Sequence, residues 1–67
     1  MKITYFQDTD TALIQFSQNE VEETQELSEN IYLDVDKAGN LVNMTIEHAK
    51  ATGALSSFTY EEKSKSA

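Results

Sequence analysis

Between Ile31 and Glu47 the chain alternates strictly. Ile31, Leu33 and Val35 are apolar, and Tyr32, Asp34 and Asp36 are the residues between and after them. Beyond residues 36–40, Val42, Met44 and Ile46 alternate with Leu41, Asn43, Thr45 and Glu47. A period of two is the mark of a strand with one buried face, so this stretch predicts two strands and a turn. Gly39 supplies the left-handed backbone that a hairpin loop with a bulge requires. The prediction is a β-hairpin with one apolar face.

A second hairpin is predicted upstream. KITYF (residues 2–6) and ALIQF (12–16) are short runs rich in β-branched and aromatic residues, separated by the polar cluster QDTDT. Asp8 and Asp10 suit the turn, because a short carboxylate can bond nearby backbone N–H groups. Ala12, Ile14 and Phe16 would share one face, with Leu13 and Gln15 on the other. Tyr5 and Tyr32 are expected beside Leu13 and Leu41 on the less buried face.

Residues 20–30, EVEETQELSEN, fit no template well. A helix there would bury only Val21, Thr24 and Leu27 or Ser28, too thin a stripe to dock. An extended edge strand decorated with acids fits better, since charge on an edge discourages chain-to-chain pairing. Downstream, HAKATGAL is alanine-rich, Gly53 suits the end of a helical turn, and Thr59 and Glu62 have capping-box spacing. The expected fold is mainly β (β or α+β), a small antiparallel meander of four to five strands built from two hairpins. A short helical or irregular C-terminal segment follows. Residues 1–55 would form the domain, and residues 56–67 a C-terminal segment and disordered tail.

Size changes this picture first. A 67-residue chain has a core worth ~3–5 kcal/mol of net stability, and natural domains of that size add disulfides, a metal or a second chain. There is no cysteine, which excludes disulfides and thiolate metal sites. No apolar run is long enough to span a bilayer and MKITYFQD does not read as a signal peptide, so no membrane role and a cytoplasmic location are expected.

Charge changes it next. Twelve acids oppose five lysines, arginine is absent, and from Ile3 to Asp36 there are nine acids and no base. Such a surface repels nucleic acid and anionic membranes. It is complementary to a basic protein partner.

Candidate chemistry is sparse. Asp34, Asp36 and Gly39 match positions 1, 3 and 6 of a calcium-binding loop, but position 5 is Ala38 and position 12 is Thr45. Two carboxylates cannot furnish the six to eight oxygens calcium takes. His48 is the single imidazole. Ser56 and Ser57 lie in a polar connector without an oxyanion-hole signature, and Glu47 beside His48 points the opposite way in a strand. No catalytic or cofactor-binding residue is assigned, no cofactor is expected, and Asp34, Asp36 and His48 are the weakest form of metal candidate. The aromatics Tyr5, Phe6, Phe16, Tyr32, Phe58 and Tyr60 read as core or interface packing. Stacking on nucleic acid would need a basic groove.

The order of these features resembles a known family. A strand, a D-x-D turn, a second strand, an acid-rich stretch, then I-x-L-D-x-D-x-x-G-x-L-V and a closing I-E is similar to the small prokaryotic domain-of-unknown-function family twenty-two eighty-three. Tyr5, Asp8 or Asp10, Leu13, Asp34, Asp36, Gly39, Leu41, Val42 and Ile46 carry the resemblance, over about residues 2–50. Ile14 stands where a tyrosine is common, and Asn43 where a glycine is common. The resemblance brings no catalytic or ligand residues. Some members are encoded beside small toxin-like proteins, which implies an antitoxin-like role. Taken together, the expectation is a bacterial, non-enzymatic interaction module able to bind a basic protein, and homodimeric because both sheet faces are partly apolar, unless the C-terminal segment covers one of them. The alternative is a small metal-dependent binder or enzyme using Asp34, Asp36 and His48.

Overall fold

The computed structural model describes residues 1–64. Its elements are β1 (Lys2–Phe6), β2 (Thr11–Gln15), β3 (Glu23–Ser28), β4 (Ile31–Val35) and β5 (Leu41–Glu47), all in one antiparallel sheet. The mainly β expectation holds, with five strands and, among the described residues, no helix. None of it is therefore a helix long and apolar enough to cross a membrane.

Strand order is β1-β2-β5-β4-β3. Strands β3, β4 and β5 form a meander, and β2 closes against β5 instead of β3, so β2 to β5 make a Greek key. The connection 16–22 therefore passes across one end of the sheet. Phe16 and Ser17 donate their N–H groups to the Val42 carbonyl, and Glu22 donates to that of Val35. Midway, the Asn19 amide donates to the Asp36 carboxylate at 2.8 Å, pinning the connection to the β4–β5 turn it crosses.

Register sorts the side chains into two faces. The row Ile3–Ile14–Met44–Leu33–Gln25 runs across all five strands, and Tyr5–Ala12–Ile46–Ile31 lies beside it. This is the apolar face the alternation predicts. The opposite face carries Thr4–Leu13–Thr45–Tyr32–Glu26 and Lys2–Gln15–Asn43–Asp34–Thr24. Tyr5 corrects the expectation: it pairs with Ala12 on the apolar face, while Leu13 and Tyr32 lie on the polar one. Tyr5 shares the face of Ile3 because residues two apart in a strand point the same way.

The turns follow local chemistry. Gly39, at φ 89°, closes residues 36–40 by donating its N–H to the Asp36 carbonyl, and Asp36 donates its own to Asn40. A bulge at Leu41–Val42 turns Val42 inward (3% exposed) and leaves Leu41 outward (42% exposed). In β3 a bulge at Leu27 leaves that side chain 57% exposed, and every residue of the strand is exposed. Residues 20–30 thus contain the acidic edge strand that composition favoured.

The hydrophobic core is slight. Ala12, Val42 and Ala49 are the buried apolar residues, and no large side chain is fully buried among the described residues. Domains normally stack two layers over a core. Here the second layer is the short stretch after β5. Residues 48–56 are turns and bends and 57–64 have no regular structure, so neither the helical option nor the Thr59–Glu62 cap is realised. Phe58 and Tyr60 come to rest beside Met1 and Ile3, at the β1 end. The expected disordered tail at its far end, residues 65–67, lies outside the described residues.

Candidate functional site

The polar groups of this domain gather at three places, each fixed by strand geometry. The first is the β4–β5 turn. One oxygen of Asp36 accepts the backbone N–H groups of Ala38 (3.0 Å) and Asn40 (2.8 Å), and the other accepts the Asn19 amide (2.8 Å). Donation from the Asn40 backbone, then from Asn19, holds the Asp36 carboxyl below the usual carboxylate range, against a smaller opposing effect of desolvation.

The second is a ladder on the polar face. Asp34 accepts the Thr24 hydroxyl at 2.7 Å from β3 and the Asn43 amide at 3.1 Å from β5. The side-chain Oδ1 of Asn43 is buried without a hydrogen-bond partner. Asp34 and Asp36 are both tied down, Asp36 by its turn and Asp34 across strands, because pairing brings Thr24 and Asn43 directly opposite Asp34.

The third lies at the other end of the sheet and was not foreseen as a unit. Asp10 closes the β1–β2 turn with a positive φ of 54°, a conformation aspartate tolerates better than most residues. There its carboxylate accepts the Tyr5 hydroxyl (2.6 Å) and the backbone N–H groups of Lys50 (2.9 Å) and Ala51 (3.0 Å). Its carbonyl accepts the Ala49 N–H. The Lys50 ammonium lies 4.6 Å from the centre of the Tyr5 ring, within cation–π range. The Tyr5 hydroxyl, then the two backbone donors, and more weakly the charge of His48, lower the Asp10 carboxyl. The same hydrogen bond, followed by burial, raises the Tyr5 phenol. His48 itself turns the chain out of β5 at φ 53°, and its carbonyl accepts from the Thr52 N–H and hydroxyl.

Of the sequence candidates, Asp34 and Asp36 lie near one end of β5 and His48 at the other. Seven residues of strand at ~3.3 Å each put about 20 Å between those ends. The structure does not bring the three together, and among the described residues no three His, Asp or Glu side chains are grouped to share a metal ion. Two surface depressions are lined by Met1, Lys2 and residues 15–18, and by Met1, Ile3, Phe58 and Tyr60. Neither contains a carboxylate or an imidazole. The carboxylates with shifted pKa values, Asp10 and Asp36, are both pushed down, so each stays ionised at neutral pH and serves as an anchor for N–H groups.

On the polar face, acids surround one ring. Tyr32 lies directly opposite Glu26 on β3 and Thr45 on β5. The charge of Glu47, then desolvation, then the charges of Glu26 and Glu29 raise its phenol. The sequence offered half of this signal, the base-free acidic stretch. The register supplied the other half by folding Glu47 onto the same face.

This is a small all-β domain, a single Greek-key sheet whose ionised groups fasten turns and edge one face with negative charge. The chain belongs to a protein family of unknown function, DUF2283, whose profile matches residues 2–50. That span takes in all five strands and ends at Lys50, the first residue whose N–H the Asp10 carboxylate holds. No curated protein and no solved structure matches the chain.

Proposed function

We propose that this protein is a non-catalytic interaction module that receives a basic segment of another protein on the polar face of its sheet, around Tyr32. The observation that supports it is the setting of that ring: an aromatic face flanked by Glu26, Glu29 and Glu47 is the arrangement a lysine or arginine side chain fits, through charge and cation–π attraction together. The adjoining β3 edge leaves one row of backbone groups open for a partner strand. An antitoxin-like role, in which the module masks a basic partner in the cytoplasm, is one concrete form of this reading.

The test is binding of a short lysine- and arginine-rich peptide, followed by fluorescence anisotropy at rising salt. Removing the ring and one neighbour, Tyr32→Ala with Glu26→Gln, should weaken binding at least tenfold. Neutralising two acids elsewhere, Glu61→Gln with Glu62→Gln, should cost threefold or less. Equal losses from both pairs would mean that the peptide senses only net charge, and the reading would fall.

A further inference from the structure

The two edges of the sheet are unlike. β1 carries Lys2 and no acid, and Phe58 and Tyr60 lie beside its start at Met1 and Ile3. β3 carries Glu23 and Glu26 and no base, pairs with β4 alone, and has every residue exposed, so nothing in the described chain covers it. The phase of the hydrogen bonds decides which of its backbone groups are spare. Glu47 donates its N–H to the Asn30 carbonyl, and the register runs on from there through Tyr32–Thr45 and Asp34–Asn43. Bonded and unbonded positions alternate in an antiparallel pair. Asn30, Tyr32 and Asp34 therefore turn their backbone groups to β5, and Ile31, Leu33 and Val35 turn theirs to β3. The Val35 carbonyl accepts from Glu22, as that phase requires. Leu33 pairs with Gln25 and Val35 with Glu23, so those two residues of β3 face β4. The N–H and C=O groups of Thr24 and Glu26 point outward, off the sheet. The bulge between Glu26 and Ser28 ends this regular row.

We infer that a basic segment of a partner protein binds as a further strand antiparallel to β3, its backbone bonded to the outward groups of Thr24 and Glu26. This rests on the Tyr32 reading above and adds how the partner is held and what sequence it carries. Thr24 and Glu26 lie on the polar face, opposite Asp34 and Tyr32. Residues directly opposite each other in a strand pair share a face. Partner residues opposite Thr24 and Glu26 therefore put their side chains on the polar face, and the residue between them points to the other. Those two side chains start beside Glu26 and two strand spacings, ~10 Å, from the β4 backbone at Tyr32. A lysine or arginine stem crosses that gap and sets its cation over the ring. The recognised pattern is a basic residue, an uncharged one, then a second basic residue.

Charge selects this occupant. From Ile3 to Asp36 the chain holds nine acids and no base. A second copy adding its own β3 here would set that stretch against itself, and an acidic strand would meet the same repulsion. A basic strand complements the edge. The bonded row is short, so the main chain supplies register and the charges supply much of the attraction, which salt screens.

The test uses the wild-type chain and a capped peptide in which lysine alternates with threonine. At saturation, amide exchange at Thr24 and Glu26 should slow by tenfold or more, while Glu23 and Gln25, already bonded to β4, should change by less than threefold. A peptide of the same composition with its lysines contiguous should bind at least fivefold more weakly. Methylating the peptide backbone nitrogens at the lysines, whose N–H groups face β3 in the antiparallel pairing, should cost at least tenfold in affinity. Methylating those of the threonines, which face away, should cost twofold or less. If no lysine peptide binds, the Tyr32 reading falls and the added strand falls with it. If the alternating peptide binds and is weakened by Tyr32→Ala with Glu26→Gln, yet Thr24 and Glu26 exchange as fast as in the free protein, the added strand alone is overturned. Equal losses from the two methylated sets would overturn it in the same way.

Discussion

Asp36 and Asp10 perform the same chemistry at opposite ends of the sheet, and the difference between them is range. Each uses a carboxylate to collect two backbone N–H groups and side-chain donors, the Tyr5 hydroxyl at Asp10 and the Asn19 and Asn40 amides at Asp36. Asp36 takes its backbone donors two and four residues downstream, inside its own turn. Asp10 takes them forty and forty-one residues downstream. A local anchor shapes a hairpin whose strands must pair in any case. A distant anchor decides where a segment with little pairing of its own will lie. Loss of the first should therefore be felt by the whole sheet, and loss of the second mainly by residues 48–56.

The largest effect should follow Asp36→Ala. Two turn N–H groups lose their acceptor, and the Asn19 amide loses the bond that holds the β2–β3 connection across the turn. In a domain with only a few kcal/mol in reserve, the thermal midpoint should drop by roughly 10 °C. All five strands should melt together, since β4 and β5 are the inner strands that link both edges. Circular dichroism melts and native-state amide exchange report this. Protection lost only around residues 36–40 would show that the turn is dispensable to the sheet.

Asp10→Ala comes next and should act locally. The midpoint should fall by no more than about 5 °C. Amide exchange at Ala49, Lys50 and Ala51 should quicken by tenfold or more, while the inner strands keep their protection. A global loss as large as that of Asp36→Ala would break the comparison and make the C-terminal turns part of the cooperative core.

The same difference explains what the sequence made legible. Alternation around Gly39 located β4 and β5 and their inward residues, because period-two burial and a turn glycine are local signals. Asp36 was visible as a turn residue for the same reason. The acidic edge β3 was legible through composition, although its bulge at Leu27 was not. The pairing of β2 with β5 was hidden, since nothing local distinguishes it from a β2–β3 neighbour. The anchor at Asp10 was hidden with it. Its acceptor role depends on β2·β5 register bringing Glu47 beside Thr11, which delivers Lys50 and Ala51 to the β1–β2 turn. Tyr5 shows the same limit: it was expected beside Leu13, register sets it opposite Ala12 on the apolar face, and its hydroxyl partner could not be read from KITYF.

The smallest effect, and the most diagnostic, is in the pH response of the two anchors. Both carboxyls are lowered in the fold, so their contribution is complete above the ordinary unfolded value of about 4 and is lost as pH falls through the folded values. Acid should therefore loosen both ends of the sheet together. Alkali should separate them. The Tyr5 phenol is raised in the fold, so its contribution is complete below about pH 10 and is lost as pH rises through the folded value. Ionisation there removes the donor and sets a phenolate against the Asp10 carboxylate. Asp36 has no such partner. Lys50 and Ala51 amide signals should shift or broaden above pH 10, while Ala38 and Asn40 should show no matching step in their secondary shifts once base-catalysed exchange is corrected with the variant as reference. Tyr5→Phe should remove the alkaline step at Lys50 and Ala51, lower the midpoint at neutral pH by about 2 °C, and leave the acid limb in place. Tyr32 also titrates high, raised chiefly by Glu47, but it sits on the other face and survives in the Tyr5→Phe variant. An alkaline step that persists there would assign the transition to Tyr32, and the distant anchor would then be a fastening by Asp10 and backbone alone.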